Sequence, residues 1–347
     1  MVKRLNIDQL NIRRKSEARE EGLSPFAVKS RLSQGRVVPE EPCPIRTAFQ
    51  RDRDRIIHTK AFRRLKHKTQ VFIAPLGDHY VTRLTHTLEV SQIARTIARA
   101  LNLNEDLVEA ATLGHDLGHT PFGHAGEEVL NELYHRGFHH NLQSLRIVDV
   151  LENDGIGLNL TWEVRDGIVN HSKSGLTSLQ QDWGKVGTVE GEVCRIADVV
   201  AYINHDIGDA VRAGVINEGD LPADAVDVLG GSNSSRINAM VCDIIENSWE
   251  RPAIAMSPYI LAATDTLRKF LFQRVYHLAR KDAETGREVV CRLYEYFKAN
   301  QDKLPREYLL HSEEAEQGVV DYIAGMTDQF ALRLAGELKP FFIARST

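Results

Sequence analysis

The chain has 347 residues, of which 42% are hydrophobic and 26% are charged, a balance typical of a soluble globular protein with one large core or two modest ones. No stretch approaches 18 consecutive apolar residues, so the sequence predicts no membrane-spanning helix. The charged N-terminus lacks the apolar segment of a signal peptide, and the four cysteines lie far apart without metal-cluster spacing. We therefore expect a cytoplasmic protein without disulfides.

The net charge of −5 is unevenly distributed. Residues 1–70 carry 18 Lys and Arg against 8 Asp and Glu, whereas the rest of the chain carries 25 against 40. A basic N-terminal segment followed by an acidic remainder of the chain is suited to binding a polyanionic ligand. The alternative is that the alternating Arg and Asp residues of 51–55 form a self-paired helix face exposed to water.

Helix-breaking Gly and Pro residues divide the first part of the chain. Residues 1–45 are polar and contain several Gly and Pro, so we expect an N-terminal arm around short helices. The Pro-rich segment 39–44 precedes a first long helix, predicted over residues 47–68. Residues 74–78 contain Pro, Gly and Asp and are predicted to form a loop.

Two predicted helices carry the first candidate ligands. In the helix that opens near Arg83, an apolar stripe at helical spacing places His86 on the inward face; the stripe is Val90, Ile93, Ala94, Ile97 and Leu101. The next helix is predicted to begin after Asn104, an N-cap residue followed by Glu and Asp in the first turn.

The second of these helices leads into residues 114–124, which hold three histidines and one aspartate. The adjacent pair His115-Asp116 offers an imidazole nitrogen and a carboxylate oxygen, a set that suits Mg, Mn, Fe or Zn. Pro121 is expected to end the helical segment, which leaves His119 and His124 on a turn.

The remaining chain is predicted to be helical. Asp198, Tyr202 and Asp206 fall at i, i+4 and i+8 along one line of a helix. Residues 181–187 are predicted to be a loop, and residues 213–238 to be the least ordered part of the interior. Other helices are predicted at about 127–136, 141–153, 162–171, 238–250, 257–280, 286–300 and 313–337. With few strand signals and no repeat, we predict an all-α domain over residues 46–347 behind the arm at 1–45.

The candidate ligands are hard to explain as ordinary core residues. An isolated buried histidine is usually a satisfied core residue. His86, His115, Asp116 and Asp198, however, lie on inward faces of three helices, where buried ionisable groups are costly unless paired or bound to metal. Asp206, in a second His-Asp pair, is a rival for the last position.

These spacings resemble the HD phosphohydrolase superfamily, and within it the dGTPase family of dNTP triphosphohydrolases. The resemblance runs from about residue 20 to about residue 335 and is carried by residues 51–58, 62–72, 83–86, 115–124, 140–144 and 321–328. It implies an HD-domain helical bundle with peripheral N- and C-terminal helices and a C-terminal helical extension.

The resemblance assigns the metal ligands as His86, His115, Asp116 and Asp198. The family's pattern Ala-Asp-x-x-x-Tyr falls on residues 197–202, so Asp206 becomes a residue behind the ligands or a sugar contact. One divalent ion is implied, with Mg or Mn expected and Fe, Ni or Zn as alternatives.

The resemblance also implies catalytic residues. His124 and Glu127 correspond to an acid/base pair, with His119 and His140 close by. Some dGTPases that are strict for guanine look to have Asn at the position of His119. The histidine of this chain instead resembles the dNTPases of broader specificity, which implies that several dNTPs are substrates.

Four further residues are candidate substrate contacts. The planar guanidinium of Arg83 suits bidentate phosphate binding. Gln70 resembles a deoxyribose contact of the family, and Tyr202 resembles the ring that packs on the sugar and excludes a 2′-hydroxyl. Arg268 is a weaker candidate for a second phosphate contact.

We therefore expect metal-dependent hydrolysis of dNTPs to deoxynucleoside and inorganic triphosphate. The resemblance also implies a homo-oligomer, tetrameric or hexameric, and activation by a dNTP or GTP. One alternative is an HD phosphohydrolase of nucleoside monophosphates or alarmones. Another is a nucleic-acid-binding or allosteric protein with a vestigial site, whose basic arm binds single strands weakly.

Overall fold

The computed structural model describes residues 7–72, 79–172 and 186–338. This part of the chain is all-α, as the sequence predicts, and it contains no β-strand beyond two isolated bridges. The predicted loop at 74–78 and most of the one at 181–187 lie outside the described residues. None of the described helices combines the length and apolar character that a membrane crossing requires.

The α-helices of the described part number sixteen. They are α1 Ile12–Arg19, α2 Ala48–Ile57, α3 Lys60–Arg64, α4 Arg83–Ala100, α5 Glu105–Gly114, α6 His124–Leu133, α7 His140–Arg146, α8 Trp162–Asn170, α9 Val189–Arg212, α10 Ala223–Leu229, α11 Asn233–Ser248, α12 Pro258–Leu271, α13 His277–Ala299, α14 Arg306–Leu310, α15 Ala315–Ala324 and α16 Asp328–Glu337.

Helices α4, α5 and α9 pack against one another and form the centre of the fold. Their apolar faces contribute to the largest buried cluster, in which Ile97 of α4 and Val200 of α9 are fully buried. Burial of one such side chain contributes about 1.5–3 kcal/mol. The stripe predicted on α4 is confirmed, with Leu101 at its end only partly buried.

Side-chain caps fix where the helices of this centre begin. The side chain of Thr82 accepts the N–H of Thr85 at the start of α4, and Asn104 accepts the N–H of Leu107 at the start of α5. Thr188 caps α9 in the same way. Each cap satisfies an otherwise unpaired N–H and is worth about 1 kcal/mol. The predicted N-cap at Asn104 is confirmed.

The single long helix predicted over residues 47–68 is wrong. Helix α2 ends at Ile57, and the shorter α3 begins at Lys60. The hydroxyl of Thr59 donates to the carbonyl oxygen of Ile56 at 2.7 Å and accepts the N–H of Phe62 at 3.0 Å. One side chain therefore ends the first helix and caps the second.

The arginines of α2 form ion pairs. Arg51 and Arg55 both contact Glu40, at 3.2 and 2.7 Å, and Arg53 contacts Glu109 at 3.1 Å. The alternative of a self-paired, exposed helix face for residues 51–55 is therefore wrong in part. Within the segment Arg53 contacts Asp54 at 3.1 Å, but Asp52 is fully buried and pairs with Arg36 outside it. These pairs leave the α2 arginines matched within the protein.

Two predictions in the second half of the chain need correction. The final helix predicted at 313–337 is interrupted at residues 325–327, because Thr327 caps a new helix, α16. Residues 213–238, predicted to be poorly ordered, contain α10 and the start of α11. The apolar side chains of α10 join the largest buried cluster, and this burial outweighs the flanking glycines.

A buried carboxylate holds the N-terminal segment against the centre of the fold. Glu190, at the start of α9, is fully buried, and its Oε1 accepts the N–H groups of Val28 at 3.0 Å and Asn104 at 3.1 Å. It therefore joins the N-terminal segment, α5 and α9. Burial raises the pKa of Glu190 to about 7.

We expect Glu190→Gln to change the pH dependence of stability. The pKa is raised from 4.5 on folding. The folded state therefore binds the proton more tightly, and the contribution of Glu190 to the free energy of unfolding is greatest below pH 4.5 and is lost as the pH rises through about 7. Glutamine keeps an acceptor oxygen but does not titrate. Between about pH 5 and about pH 8 the wild type should lose roughly 2–3 kcal/mol relative to the variant, measured by urea unfolding. If the free energy of unfolding changed with pH in the same way in both proteins, the raised pKa assigned to Glu190 would be contradicted.

Candidate metal centre

The His-Asp pair lies on a turn that packs closely against α7. Helix α5 ends at Gly114, and residues 115–118 continue as a turn. A Cβ atom at Gly118 would come within 2.3 Å of the His140 carbonyl oxygen and the Ser144 nitrogen, so a side chain does not fit there. The Ser144 hydroxyl also accepts the N–H of Gly118 at 2.8 Å.

The four predicted ligands converge at one point. His86 Nε2 lies 3.2 Å from Asp198 Oδ1, 3.6 Å from Asp116 Oδ2 and 3.4 Å from His115 Nε2. His115 Nε2 lies 3.4 Å from Asp116 Oδ1 and 3.9 Å from Asp198 Oδ1. Helix α4, the turn after α5 and helix α9 thus present two imidazole nitrogens and two carboxylate oxygens to each other.

This donor set fits a divalent cation. Ligand bonds of about 2.1 Å place neighbouring ligand atoms about 3.0–3.4 Å apart in octahedral or tetrahedral geometry. The shorter separations observed, 3.2–3.6 Å, lie close to that range. Nitrogen with carboxylate oxygen suits Mn, Fe, Ni or Zn, and the carboxylates also suit Mg. His86, His115, Asp116 and Asp198 could therefore hold one divalent ion.

The remote nitrogens of both histidines are engaged by neighbouring groups. His115 Nδ1 lies 2.6 Å from the carbonyl oxygen of Thr112, which requires it to carry the proton and leaves the lone pair on Nε2. His86 Nδ1 lies 2.8 Å from His205 Nε2. Such contacts fix the orientation of a ligating imidazole.

Asp206 stands behind the ligands. Its Oδ1 lies 2.8 Å from His205 Nδ1, and its Oδ2 accepts the hydroxyl proton of Tyr276. Asp206 is therefore joined to His86 through His205. Asp198 is the α9 carboxylate that lies 3.2 Å from His86.

Further histidines lie beside Asp116, next to its Oδ1 atom. His119 Nε2 lies 3.4 Å from Asp116 Oδ1, and its ring stacks on that of His140 with centroids 3.9 Å apart. The exposed ring of His124 meets His119 edge-on, with centroids 5.6 Å apart. All three predicted histidines therefore lie on one side of the carboxylate.

Glu127 binds a different histidine from the one predicted. Its Oε1 accepts the backbone N–H of His140 at 2.9 Å, and both carboxylate oxygens lie within 3.0 Å of His140 Nδ1. No hydrogen bond joins Glu127 to His124 among the described residues. His124 is the first residue of α6, not part of a turn. Glu127 instead meets the N-terminus of α7, where an unpaired N–H and the helix dipole favour a carboxylate.

The charges of the site stabilise ionised carboxylates. Burial raises the pKa of Asp116, but the neighbouring histidines and Arg83 outweigh it and hold the pKa well below its ordinary value. For Asp198, histidine contacts likewise outweigh burial and lower the pKa. Burial lowers the pKa of His140, yet its hydrogen bond to Glu127 and the charges of Glu127 and Asp116 together outweigh this effect and raise the pKa. The pKa of Glu127 is correspondingly lowered.

Several buried polar atoms beside the ligands have no partner. Arg83 donates from Nη1 to Asp116 Oδ2 at 2.9 Å and from Nε to the Thr69 carbonyl oxygen at 3.2 Å, but its Nη2 is unpaired. His119 Nδ1 and Gln70 Oε1 are also buried without a partner. Such atoms each cost about 1–3 kcal/mol, so this part of the site fits a polar ligand.

The remaining substrate candidates lie on α9 and α12. Tyr202 follows Asp198 by one helical turn and is partly buried against the central cluster. Arg268 contacts Asp265 of its own helix at 2.7 Å, so its charge is matched within α12. The structure brings Tyr202 close to the ligands but does not bring Arg268 into the ligand cluster.

Three residues of the site were missed by the sequence analysis. His205 holds His86, and Lys68 is buried with its Nζ donating to two backbone carbonyls. His171 Nε2 lies 3.2 Å from His140 Nε2, and burial lowers the pKa of His171 to about 3. The second His-Asp pair was the signal available for His205. His171 and Lys68 become neighbours of the site only through helix packing.

Residues 83–203, which include all four candidate ligands, match the HD domain family. Residues 254–337 match the phosphohydrolase-associated domain family. The chain is thus an HD-domain phosphohydrolase, a class for which a divalent metal is implied.

Relatives narrow this class to one family. A deoxyguanosinetriphosphate triphosphohydrolase-like protein of Caldanaerobacter subterraneus subsp. tengcongensis is 60% identical over 314 residues, covering 89% of this chain and 90% of the relative. Proteins with the same name from Desulfatibacillum aliphaticivorans and Clostridium tetani are 51% and 46% identical, with coverage of 93% and 95% of this chain and 96% and 97% of theirs. The chain belongs to this deoxyguanosinetriphosphate triphosphohydrolase-like family.

We expect Asp198→Asn and Asp206→Asn to differ in metal content. The first change removes an anionic donor from the cluster, so the purified variant should lose its ion. The second should keep the ion at saturating metal, with affinity roughly 10–100-fold weaker because the support of His86 is altered. Elemental analysis and metal titration measure both. The ligand assignment is wrong if the Asp206 variant loses the ion while the Asp198 variant keeps it.

Proposed function

We propose that the protein hydrolyses deoxynucleoside triphosphates between the α-phosphorus and the 5′-oxygen, releasing deoxynucleoside and inorganic triphosphate. The observation that carries this proposal is that the two carboxylate oxygens of Asp116 contact different groups. Its Oδ2 faces His86 and Arg83, and its Oδ1 faces His115 and His119. One carboxylate therefore joins the metal-ligand cluster to a phosphate-binding guanidinium. The names of the relatives support a triphosphate substrate.

The unpaired buried atoms support a mode of nucleotide binding. Arg83 Nη2 donates to a phosphate oxygen, and Gln70 Oε1 accepts from a sugar hydroxyl. Because His119 Nε2 faces the Asp116 carboxylate, His119 Nδ1 carries the lone pair and can accept a hydrogen bond. Tyr202, one turn beyond Asp198, packs against the deoxyribose. A divalent ion held by the four ligands would lower the pKa of a bound water and polarise a phosphoryl oxygen.

The reaction requires one new bond, one broken bond and two proton transfers. The oxygen of water bonds to the α-phosphorus and the water loses a proton to solvent. The bond from phosphorus to the 5′-oxygen breaks, and the leaving oxygen takes a proton. We assign this proton to His124, whose exposed ring lies beside His119 on the open side of the site. The ion pair of Glu127 with His140 holds a positive charge next to His119, where the triphosphate is bound.

Product identification tests the reaction directly. The protein is incubated with each dNTP alone and in mixtures, with Mg or Mn, and the products are separated by chromatography. Deoxynucleoside with free triphosphate is expected, and faster turnover in mixtures would indicate an activating nucleotide. An Asp116→Ala preparation controls for contaminating phosphatases. Release of orthophosphate or pyrophosphate in place of triphosphate would contradict the proposal.

We expect His124→Ala to separate chemistry from binding. Because His124 contacts none of the metal ligands except through His119, the variant should retain its metal and bind dNTP with nearly unchanged affinity. Turnover should fall by roughly 10² or more, the scale of a lost acid/base group. His140→Ala is the matched variant. If it loses turnover in this way while His124→Ala does not, the proton donor is His140.

We also expect discrimination against ribonucleotides. Tyr202 lies about 6 Å along α9 from Asp198, so a nucleotide with its α-phosphate at the metal site places its sugar against the ring. A 2′-hydroxyl would clash with the ring or be buried unpaired. Turnover of GTP should therefore be far below that of dGTP, and Tyr202→Leu should narrow the difference. Equal turnover by the wild type would remove this role from Tyr202.

A further inference from the structure

The motif at residues 321–328 lies far along the chain from the ligands, in the segment that matches the phosphohydrolase-associated domain. In the structure, α15 ends at Ala324 and α16 begins at Asp328. The residues at and between these two helix ends face the HD-domain part of the chain, which carries the site. Several of their contacts are with segments that border the site.

The buried carboxylate of Asp328 binds two such segments. Its Oδ2 accepts the backbone N–H of Thr69 at 2.9 Å and also the Thr69 hydroxyl proton. Its Oδ1 accepts the backbone N–H of Phe122 at 3.0 Å. Thr69 precedes Gln70, and Phe122 lies two residues before His124. One side chain therefore ties the sugar-contact segment to the start of α6.

Backbone carbonyls of the motif reinforce this contact. Lys68 Nζ donates to the carbonyl oxygens of Ala324, at 2.8 Å, and of His119. Arg64 Nη1 donates to the carbonyl oxygen of Gly325 at 3.0 Å. The bend at residues 119–123 is consequently held at both ends by the junction of α15 and α16.

The bend is strained and needs such support. Phe122 is a buried non-glycine residue with φ of 63°, and Gly123 follows with φ of 58°. A left-handed conformation at a bulky residue costs about 1–3 kcal/mol and persists only where its surroundings hold it. A Cβ at Gly123 would lie 3.3 Å from Arg83 Nη2, so the bend also borders the phosphate-binding guanidinium. A shift of this bend would move His124 relative to Arg83.

We propose that Asp328 is a positioning residue for catalysis, which acts by holding the strained bend at Phe122 and Gly123 and thereby the ring of His124. This inference rests on the proposed function, because it assigns the effect of Asp328 to turnover through His124. Asp328 itself touches neither the ligand cluster nor the unpaired atoms of the site.

The test uses Asp328→Asn with Asp52→Asn as a matched control. Asp52 is also buried, and its Oδ2 likewise accepts the backbone N–H and hydroxyl proton of one threonine, Thr161. Both variants should lose thermal stability. Asp328→Asn should lower kcat for dNTP roughly tenfold or more with metal content and KM nearly unchanged, because small displacements of catalytic groups are costly. Asp52→Asn should leave kcat per folded molecule near that of the wild type.

A double-mutant cycle identifies the route of the effect. In a His124→Ala background, Asp328→Asn should cost less than about twofold in kcat, because the group that it positions is already absent. Asp52→Asn remains without effect in the same background. An equal loss from Asp328→Asn in both backgrounds, or an equal loss from the two asparagine variants, overturns the inference. If the wild type releases no triphosphate from any dNTP, the proposed function fails instead.

A second variant covers the case in which Asp328→Asn does not fold. Thr69→Val removes the hydroxyl donor to Asp328 but keeps the carboxylate and the backbone contact. It should lower kcat by a smaller factor, and this reduction should disappear in the His124→Ala background. An unchanged kcat for the folded Thr69→Val protein, or a loss that persists without His124, contradicts the inference.

Discussion

The buried charge of Asp116 is the interaction on which the rest of the site depends. An ionised carboxylate with 2% exposure is costly to bury unless opposite charges and hydrogen-bond donors surround it. Arg83 supplies one such donor from α4, and His115 and His119 face the carboxylate from the same turn. The need to satisfy this one side chain thus brings α4 to the turn that follows α5. A divalent ion held by the candidate ligands would add a further positive charge at the same point.

The fold supplies rigid support behind each ligand. His115 is fixed by a carbonyl oxygen of α5, and His86 is fixed by His205. Asp206 and the Tyr276 hydroxyl extend that second chain of contacts to the segment Phe272–Tyr276 between α12 and α13. Because the supporting atoms belong to packed helices, the ligand atoms are held in place before any ion binds. Packing of the central helices therefore keeps these two imidazoles and two carboxylates close together.

The C-terminal helices complete the site without contributing a ligand. Asp321 accepts hydrogen bonds from Gln143 at 2.9 Å and from Arg146 at 2.7–2.9 Å, which holds α7 and with it His140. Asp328 holds the bend before His124. Two carboxylates of the motif at residues 321–328 thus hold the segments that carry His140 and His124. This arrangement explains why a region matched separately from the HD domain lies against the site.

The sequence alone determined the all-α class and the start of α5, because apolar periodicity and N-caps are local signals. The choice of the four candidate ligands, with Asp198 preferred to Asp206, came from the resemblance to a known family. His86 and Asp198 could be recognised since each lies on the inward face of its own helix. Tertiary structure decided which residues meet across helices. Glu127 pairs with His140 and not His124 because the N-terminus of α7 packs beside it, and His171 and Lys68 reach the site through packing. Such contacts join residues distant in sequence, and no local pattern encodes them.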